Sequence, residues 1–171
     1  TKRTDMSFAL KHEPARLEYN GRSLNTIFGN RRQLLDLRFW RFLLQVGRFN
    51  RETAAALEDP RFARMTLREY ADARGYGRDF LDLYIVPMGG AVWSAPPDKM
   101  LQFPAVTLMR FWHHHGFLGM NTRHPWWTVV GGAQSYVRKL STPFRDRIRL
   151  KSPVAKIERG PGGVTVTPCE G

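Results

Sequence analysis

Cysteine is nearly missing from this 171-residue chain, and the single one, Cys169, has Pro168 and Glu170 as neighbours. An internal disulfide is therefore impossible, and with no histidine nearby the thiol has nothing to activate it. No apolar run approaches the roughly 18–20 residues needed to cross a bilayer. The opening Thr1-Lys2-Arg3-Thr4-Asp5 is not followed by the apolar stretch of a secretory leader, so the expected location is cytoplasmic. Gly-x-Ser-x-Gly and the Walker phosphate loop are both absent, which removes two common hydrolytic chemistries. The nearest approach to a dinucleotide fingerprint is Gly75-x-Gly77, with Phe80 where a third glycine belongs and a helix where a strand should precede it.

What is present is apolar and basic. Hydrophobic residues make up 42% of the chain and aromatics 12%, enough to build a real core. The formal charge is +12, nearly all of it from arginine distributed along helical segments. A basic excess is compatible with nucleic acid, an anionic surface or acidic substrates. Spread out in this way, it does not favour nucleic acid.

Along the chain, Met6 to Lys11 and Leu17-Glu18-Tyr19 read as strands. Asn20-Gly21 offers a tight hairpin turn before Arg22-Ser23-Leu24. From Leu37 to Leu57 the pattern is helical. Phe39, Trp40, Leu43, Val46 and Phe49 form its apolar side, and Arg41, Gln45, Arg48 and Glu52 a solvated stripe. Asp59-Pro60 should end this helix. Thr66-x-x-Glu69 is a capping box for a second helix, which Gly75 should close. Arg78 to Val86 is helical again, with Pro87 expected to end or kink it. The glycines of Met88-Gly89-Gly90-Ala91-Val92-Trp93 permit close backbone approach. A further helix should start near Pro104 and run to His113-His114-His115.

The last third changes character. Trp126 to Val130, Ile148 to Leu150, Val154 to Glu158 and Val164 to Val166 read as strands, with a short helix over Gln134 to Leu140. The expected class is α+β. A mostly helical body over residues 1–140 is followed by a β segment, 141–171, too small to form its own core.

No catalytic constellation emerges. Adjacent histidines on a helix point about 100° apart, so the triplet is poorly arranged around one ion and reads as a C-terminal cluster suited to the helix dipole; no metal site is expected. The carboxylates lie mostly at helix starts or on polar faces. Trp93, Phe111-Trp112 and Pro125-Trp126-Trp127 are candidate walls of an apolar pocket, or simply core.

One ordered set of motifs goes further. It runs through Leu17-Glu18-Tyr19-Asn20-Gly21-Arg22-Ser23-Leu24-Asn25, Asn30-Arg31-Arg32, Phe39-Trp40 and Arg48-Phe49-Asn50. Pro87-Met88-Gly89-Gly90-Ala91-Val92-Trp93-Ser94, Phe103-Pro104-Ala105 and Val130-Gly131-Gly132-Ala133-Gln134-Ser135-Tyr136 follow. This order resembles the bacterial "predicted NAD/FAD-binding proteins" of the flavin-containing amine oxidase superfamily, over about Asp5 to Val166. The resemblance implies an internal portion of an FAD-dependent oxidoreductase that passes hydride from an apolar or amine substrate to flavin. It implies a substrate domain followed by a returning strand of a Rossmann-like FAD domain. Val154 would approach the cofactor through its backbone, and Gly131-Gly132 would form a loop leading towards it. Trp126, Trp127 and Trp93 would face a small-molecule substrate. It names no catalytic residue. The expected partners are that substrate and the rest of the FAD domain, and the segment alone is expected to be inactive, free of FAD and prone to self-association. Two other readings stay open: a basic module for nucleic acid or an anionic surface, and a protein-interaction domain.

Overall fold

The computed structural model describes residues 1–119, 122 and 124–169. It is an α+β chain in which helices dominate and every sheet has two strands. Two compact units emerge, one spanning Thr4–Trp126 and the other combining Thr1–Arg3 with the residues from Trp127 onward. The division falls earlier than the expected boundary at residue 140.

Strand β1 (Lys2–Thr4) opens the chain. In the larger unit, β2 (Ala9–His12) and β3 (Leu17–Asn20) form an antiparallel hairpin with Leu10 opposite Tyr19. Its turn is Glu13-Pro14-Ala15-Arg16, closed by the Arg16 amide donating to the Glu13 carbonyl at 3.0 Å. Asn20-Gly21 is therefore not the hairpin turn. Proline at the second position pre-sets the turn backbone, and Arg16 takes a left-handed φ of 49° beyond it. Asn20 instead folds its side chain onto the Arg22 amide, accepting at 2.8 Å. Ser23 and Thr26 then complete a capping box for the short α1 (Leu24–Ile27).

Helix α2 (Leu37–Glu58) is the axis of this unit. Asp36 caps its start by accepting from the Arg38 and Phe39 amides, and Asp59-Pro60 follows its end. Phe39, Phe42 and Phe49 are buried on it, each worth about 1.5–3 kcal/mol relative to an exposed ring. Phe49 lies within 6.4 Å, ring to ring, of Tyr70, Tyr76, Phe80, Tyr84 and Trp112. Trp40, expected on the apolar side, is 41% exposed, and its indole N–H donates to the Leu34 carbonyl.

The expected solvated stripe is solvated only at Arg41. Gln45 accepts from the Gly77 amide at 2.7 Å, and Glu52 accepts from Arg74 at 2.5 Å and from the Tyr76 hydroxyl at 3.3 Å. Arg48 lies over the Tyr76 ring at 4.1 Å. These polar side chains fasten α2 to the segment that follows α3 (Leu67–Ala73), whose Thr66–Glu69 capping box and Gly75 end, at φ 66°, are as expected.

Pro87 does not end its helix. Helix α4 (Arg78–Phe80) passes through a π-turn at Leu81–Ile85 into α5 (Val86–Trp93) without a break. A proline can neither supply an N–H to the carbonyl four residues back nor fit its ring against it. The widened turn relieves the clash, with the Val86 amide bonding to Leu81. The Leu83 carbonyl thereby loses its usual donor, and the hydroxyl of Tyr19 takes the place at 2.6 Å, fully buried. Burial holds that phenol protonated far above the usual tyrosine range.

After α5, α6 (Pro97–Leu101) packs so closely that a Cβ on Gly89 would lie 2.8 Å from the Met100 sulfur. Helix α7 (Ala105–His114) follows Pro104 and buries Leu108, Met109 and Trp112.

The second unit differs in kind. Strand β4 (Trp126–Thr128) pairs with β1, a turn at Gly131-Gly132 leads to α8 (Ala133–Ser141), and a 3-10 segment covers Thr142–Arg147. Strands β5 (Val154–Gly160) and β6 (Gly163–Pro168) form an antiparallel hairpin with a bulge near Val154. Ile148-Arg149-Leu150 forms no strand, because no neighbouring strand offers its backbone a ladder. No described residue of this unit is buried. On α8 the exposed Tyr136, Val137 and Leu140 share one face, and on the hairpin Ile157, Val164 and Val166 share another.

Two predictions follow from the larger unit. Tyr19→Phe strands the Leu83 carbonyl and should lower unfolding stability by about 1–3 kcal/mol in urea melts. For Glu52, burial works against ionisation, but Arg74, Arg48 and the Tyr76 hydroxyl outweigh it and hold the carboxyl below its usual range. A folded-state value below the unfolded one means stability present at neutral pH and lost as pH falls through that depressed range. Glu52→Gln should therefore flatten the decline in stability between about pH 5 and about pH 3, read from urea midpoints at each pH.

Candidate functional site

Two adjoining apolar cavities lie within the larger unit and share Phe8, Met88 and Phe117 in their walls. The inner one, about 110 Å³, reaches Tyr19, Phe42, Val46, Asn50 and Tyr84. The outer one, about 200 Å³, is walled by Met6, Ala91, Val92 and Trp126. Each of its boundaries has a local cause. The β2–β3 ribbon presents Tyr19 inward by strand alternation, with Phe8 just ahead of it. Positions 42, 46 and 50 follow one another at helical spacing on α2. The π-turn carries Tyr84, and Met88 and Val92 continue the same row on α5.

Among the described residues lining these cavities, none is an aspartate, glutamate, histidine, lysine or arginine. The polar groups of the inner cavity are few. Tyr19 has given its hydroxyl to Leu83. Tyr84 donates to Asn50 Oδ1 at 3.3 Å and rests edge-on against Trp112, ring centroids 5.2 Å apart. An apolar space with a small number of placed polar groups is the usual make-up of a small-molecule site.

The tryptophans expected at a pocket separate. Trp126 lines the outer cavity and stacks with Phe117, centroids 6.4 Å apart. Trp93 packs between Phe103 and Phe111, 4.9 Å from each, and does not line either cavity. Trp127 is 59% exposed in the other unit. Strand alternation sends neighbours to opposite faces, so a tryptophan pair on one strand cannot share a pocket wall. Asn50 and Tyr84, the polar pair of the inner cavity, are not legible in the sequence as site residues: Asn50 stands there only as the end of Arg48-Phe49-Asn50 and at helical spacing from 42 and 46, and Tyr84 only as part of a helical apolar row.

Gly131 and Gly132 both hold left-handed φ values, 84° and 75°, and a Cβ on Gly132 would meet nothing within 4 Å. They lead into α8, whose start has no side-chain cap. Val154, 52% exposed, begins β5 at the bulge. Gly131-Gly132 and Val154 stand on separate elements of this unit, with α8 and the 3-10 segment between them in sequence.

The histidines behave as a helix end. His115 Nδ1 bonds the Phe111 carbonyl at 2.8 Å and its ring stacks on Phe111, while His113 and His114 are exposed. Among the described residues no group of His, Cys, Asp or Glu is placed to hold a metal. Cys169 is free and exposed. No described helix is long and apolar enough to cross a membrane.

Comparison of the chain with protein-family models, with curated proteins and with solved structures found no match.

Proposed function

We propose that this chain is the substrate-binding portion of an FAD-dependent oxidoreductase that oxidises an apolar substrate by hydride transfer. The observation that carries the reading is the paired cavity: an aromatic and aliphatic space with polar groups at one end and no acid–base pair among its described walls. Hydride transfer to a flavin asks the protein for orientation and a dry, shaped space, not for an obligatory proton carrier. Bound FAD would supply the hydride-accepting chemistry, with the Gly131-Gly132 backbone and Val154 as the groups that hold it. Phe8, Met88, Phe117 and Trp126 exclude water and fix the plane of the substrate.

The uncovered faces of α8 and of the β5–β6 hairpin also support the reading. A two-stranded ribbon with one apolar face is marginal in water and gains stability from a further layer. In this proposal the layer is the remainder of a cofactor domain.

One observation favours a second reading. The exposed stripe Tyr136, Val137 and Leu140 is accompanied by Arg138, Lys139, Arg145 and Arg147, a composition that suits an anionic lipid surface.

Expressed with the whole of its reading frame, the protein should purify with flavin absorbance, and Trp126→Ala should lower kcat/KM about tenfold or more while flavin content holds. A colourless protein would overturn the first reading. Flotation of that same protein with anionic but not neutral vesicles would favour the second.

A further inference from the structure

Helix α2 is apolar on two sides, and the core uses only one of them. Phe39, Phe42 and Phe49 face inward and are buried. Leu37, Trp40 and Leu44 recur at i, i+3 and i+7 on the opposite side, where Leu37 is 84% and Leu44 70% exposed. Single exposed leucines are ordinary on a protein surface; an exposed row of them beside a tryptophan marks a face that something covers. We propose that this outer face of α2 docks on an anionic bilayer surface. Leu37, Trp40 and Leu44 enter the headgroup layer, and Arg41 and Arg51 meet the lipid phosphates. The face lies in the larger unit and the α8 stripe in the other, so neither reading above is needed for it.

Three features select that occupant. Charge is the first. Helix α2 carries four arginines against Glu52 and Glu58. The acids nearest the row are engaged: Asp36 caps the helix, Arg38 holds Asp79 through both oxygens, and Glu52 bonds Arg74. Arg41 and Arg51 form no ion pair among the described residues. The Arg51 guanidinium lies back along the helix over Gly47, where a Cβ would stand 3.5 Å from it. That places a cation one turn from Leu44, on the same face.

The second feature is the centre of the row. The Trp40 ring packs 5.1 Å from Phe28, and its N–H is already bonded to the Leu34 carbonyl at 2.9 Å. What it shows outward is hydrocarbon, with no donor awaiting a directed partner. Protein and nucleic-acid partners are read largely through directed bonds; a lipid layer asks for none. The third is size. The row covers ~10 Å of helix, far short of the roughly 20–30 residues that each side gives to a stable protein interface. A second copy would also bring a like net charge of +12 against this one. A few apolar side chains flanked by arginine, sunk about 5–10 Å into the headgroup boundary, are what an interfacial helix needs.

The test follows one label on the full chain. Cys169 is its one cysteine, so Cys169→Ser with Leu44→Cys places an environment-sensitive fluorophore on the row alone. The label should shift to the blue on vesicles of phosphatidylglycerol and phosphatidylcholine in equal parts, and stay unshifted on phosphatidylcholine alone. Arg41→Gln with Arg51→Gln should weaken partitioning about tenfold or more, each cation near the surface being worth about fivefold. Leu37→Ser should weaken it about fivefold; its side chain is outside the core, so the urea midpoint should hold.

A label that stays in water while the chain floats with anionic vesicles would overturn the proposal and leave binding to the α8 stripe, which the same label on Val137→Cys would report. An equal shift on neutral vesicles, on duplex DNA, or on raising the protein concentration without lipid would overturn it as well. So would the absence of any partitioning by the folded chain. Flavin enters none of these measurements.

Discussion

A proline inside a helix sets the arrangement of the larger unit. Pro87 cannot donate to the Leu83 carbonyl, and the chain responds with a π-turn instead of a break. The carbonyl left over is buried, and an unmet buried acceptor costs about as much as the whole net value of a hydrogen bond or more. Tyr19, from a strand more than sixty residues earlier, supplies the donor. One bond therefore ties the β2–β3 ribbon to the α4–α5 helix and fixes the distance between them. The inner cavity is the space that remains, and Tyr84, within the π-turn, projects to Asn50 because of it.

The rest of the unit is organised around α2, where aromatic burial and polar fastening act on different sides. Phe49 gathers five aromatic rings around itself, and such contacts add about 0.5–1.5 kcal/mol each beyond burial where the geometry is good. Glu52, Arg48 and Gln45 bind the other side to the loop between α3 and α4. These bonds are only half-buried, so they serve more to define the loop position than to add stability.

Much of this was legible in the residues. The extent of α2, the Thr66–Glu69 box, the Gly75 end and α7 follow from periodicity and capping, which are local. The errors are tertiary. Asn20-Gly21 has the right composition for a hairpin turn, but Pro14 fixes the turn earlier, and the register of Leu10 on Tyr19 settles the matter. Pro87 reads as an end or a kink, and which of the two follows is not legible because the remedy, a π-turn secured by a phenol from another element, is invisible in a window around it. Ile148-Arg149-Leu150 has strand composition and no partner. The site was harder. Tryptophan draws attention by size, yet Trp93 packs against Phe103 and Phe111, whereas Asn50 looks ordinary in sequence and stands at the polar end of the inner cavity. The flavin reading joins motif order, a kind of information that geometry does not repeat, to the apolar cavities lined by Phe8, Met88 and Phe117.

The adjacent tryptophans of β4 carry a final implication, for strand register. Trp126 lines the outer cavity and Trp127 is exposed, on a strand only three residues long whose ladder partner is β1. In a strand, a shift of one residue reverses every side chain. A one-residue slip of β4 in its ladder would thus leave the composition of the strand untouched and take the Trp126 indole off the cavity wall.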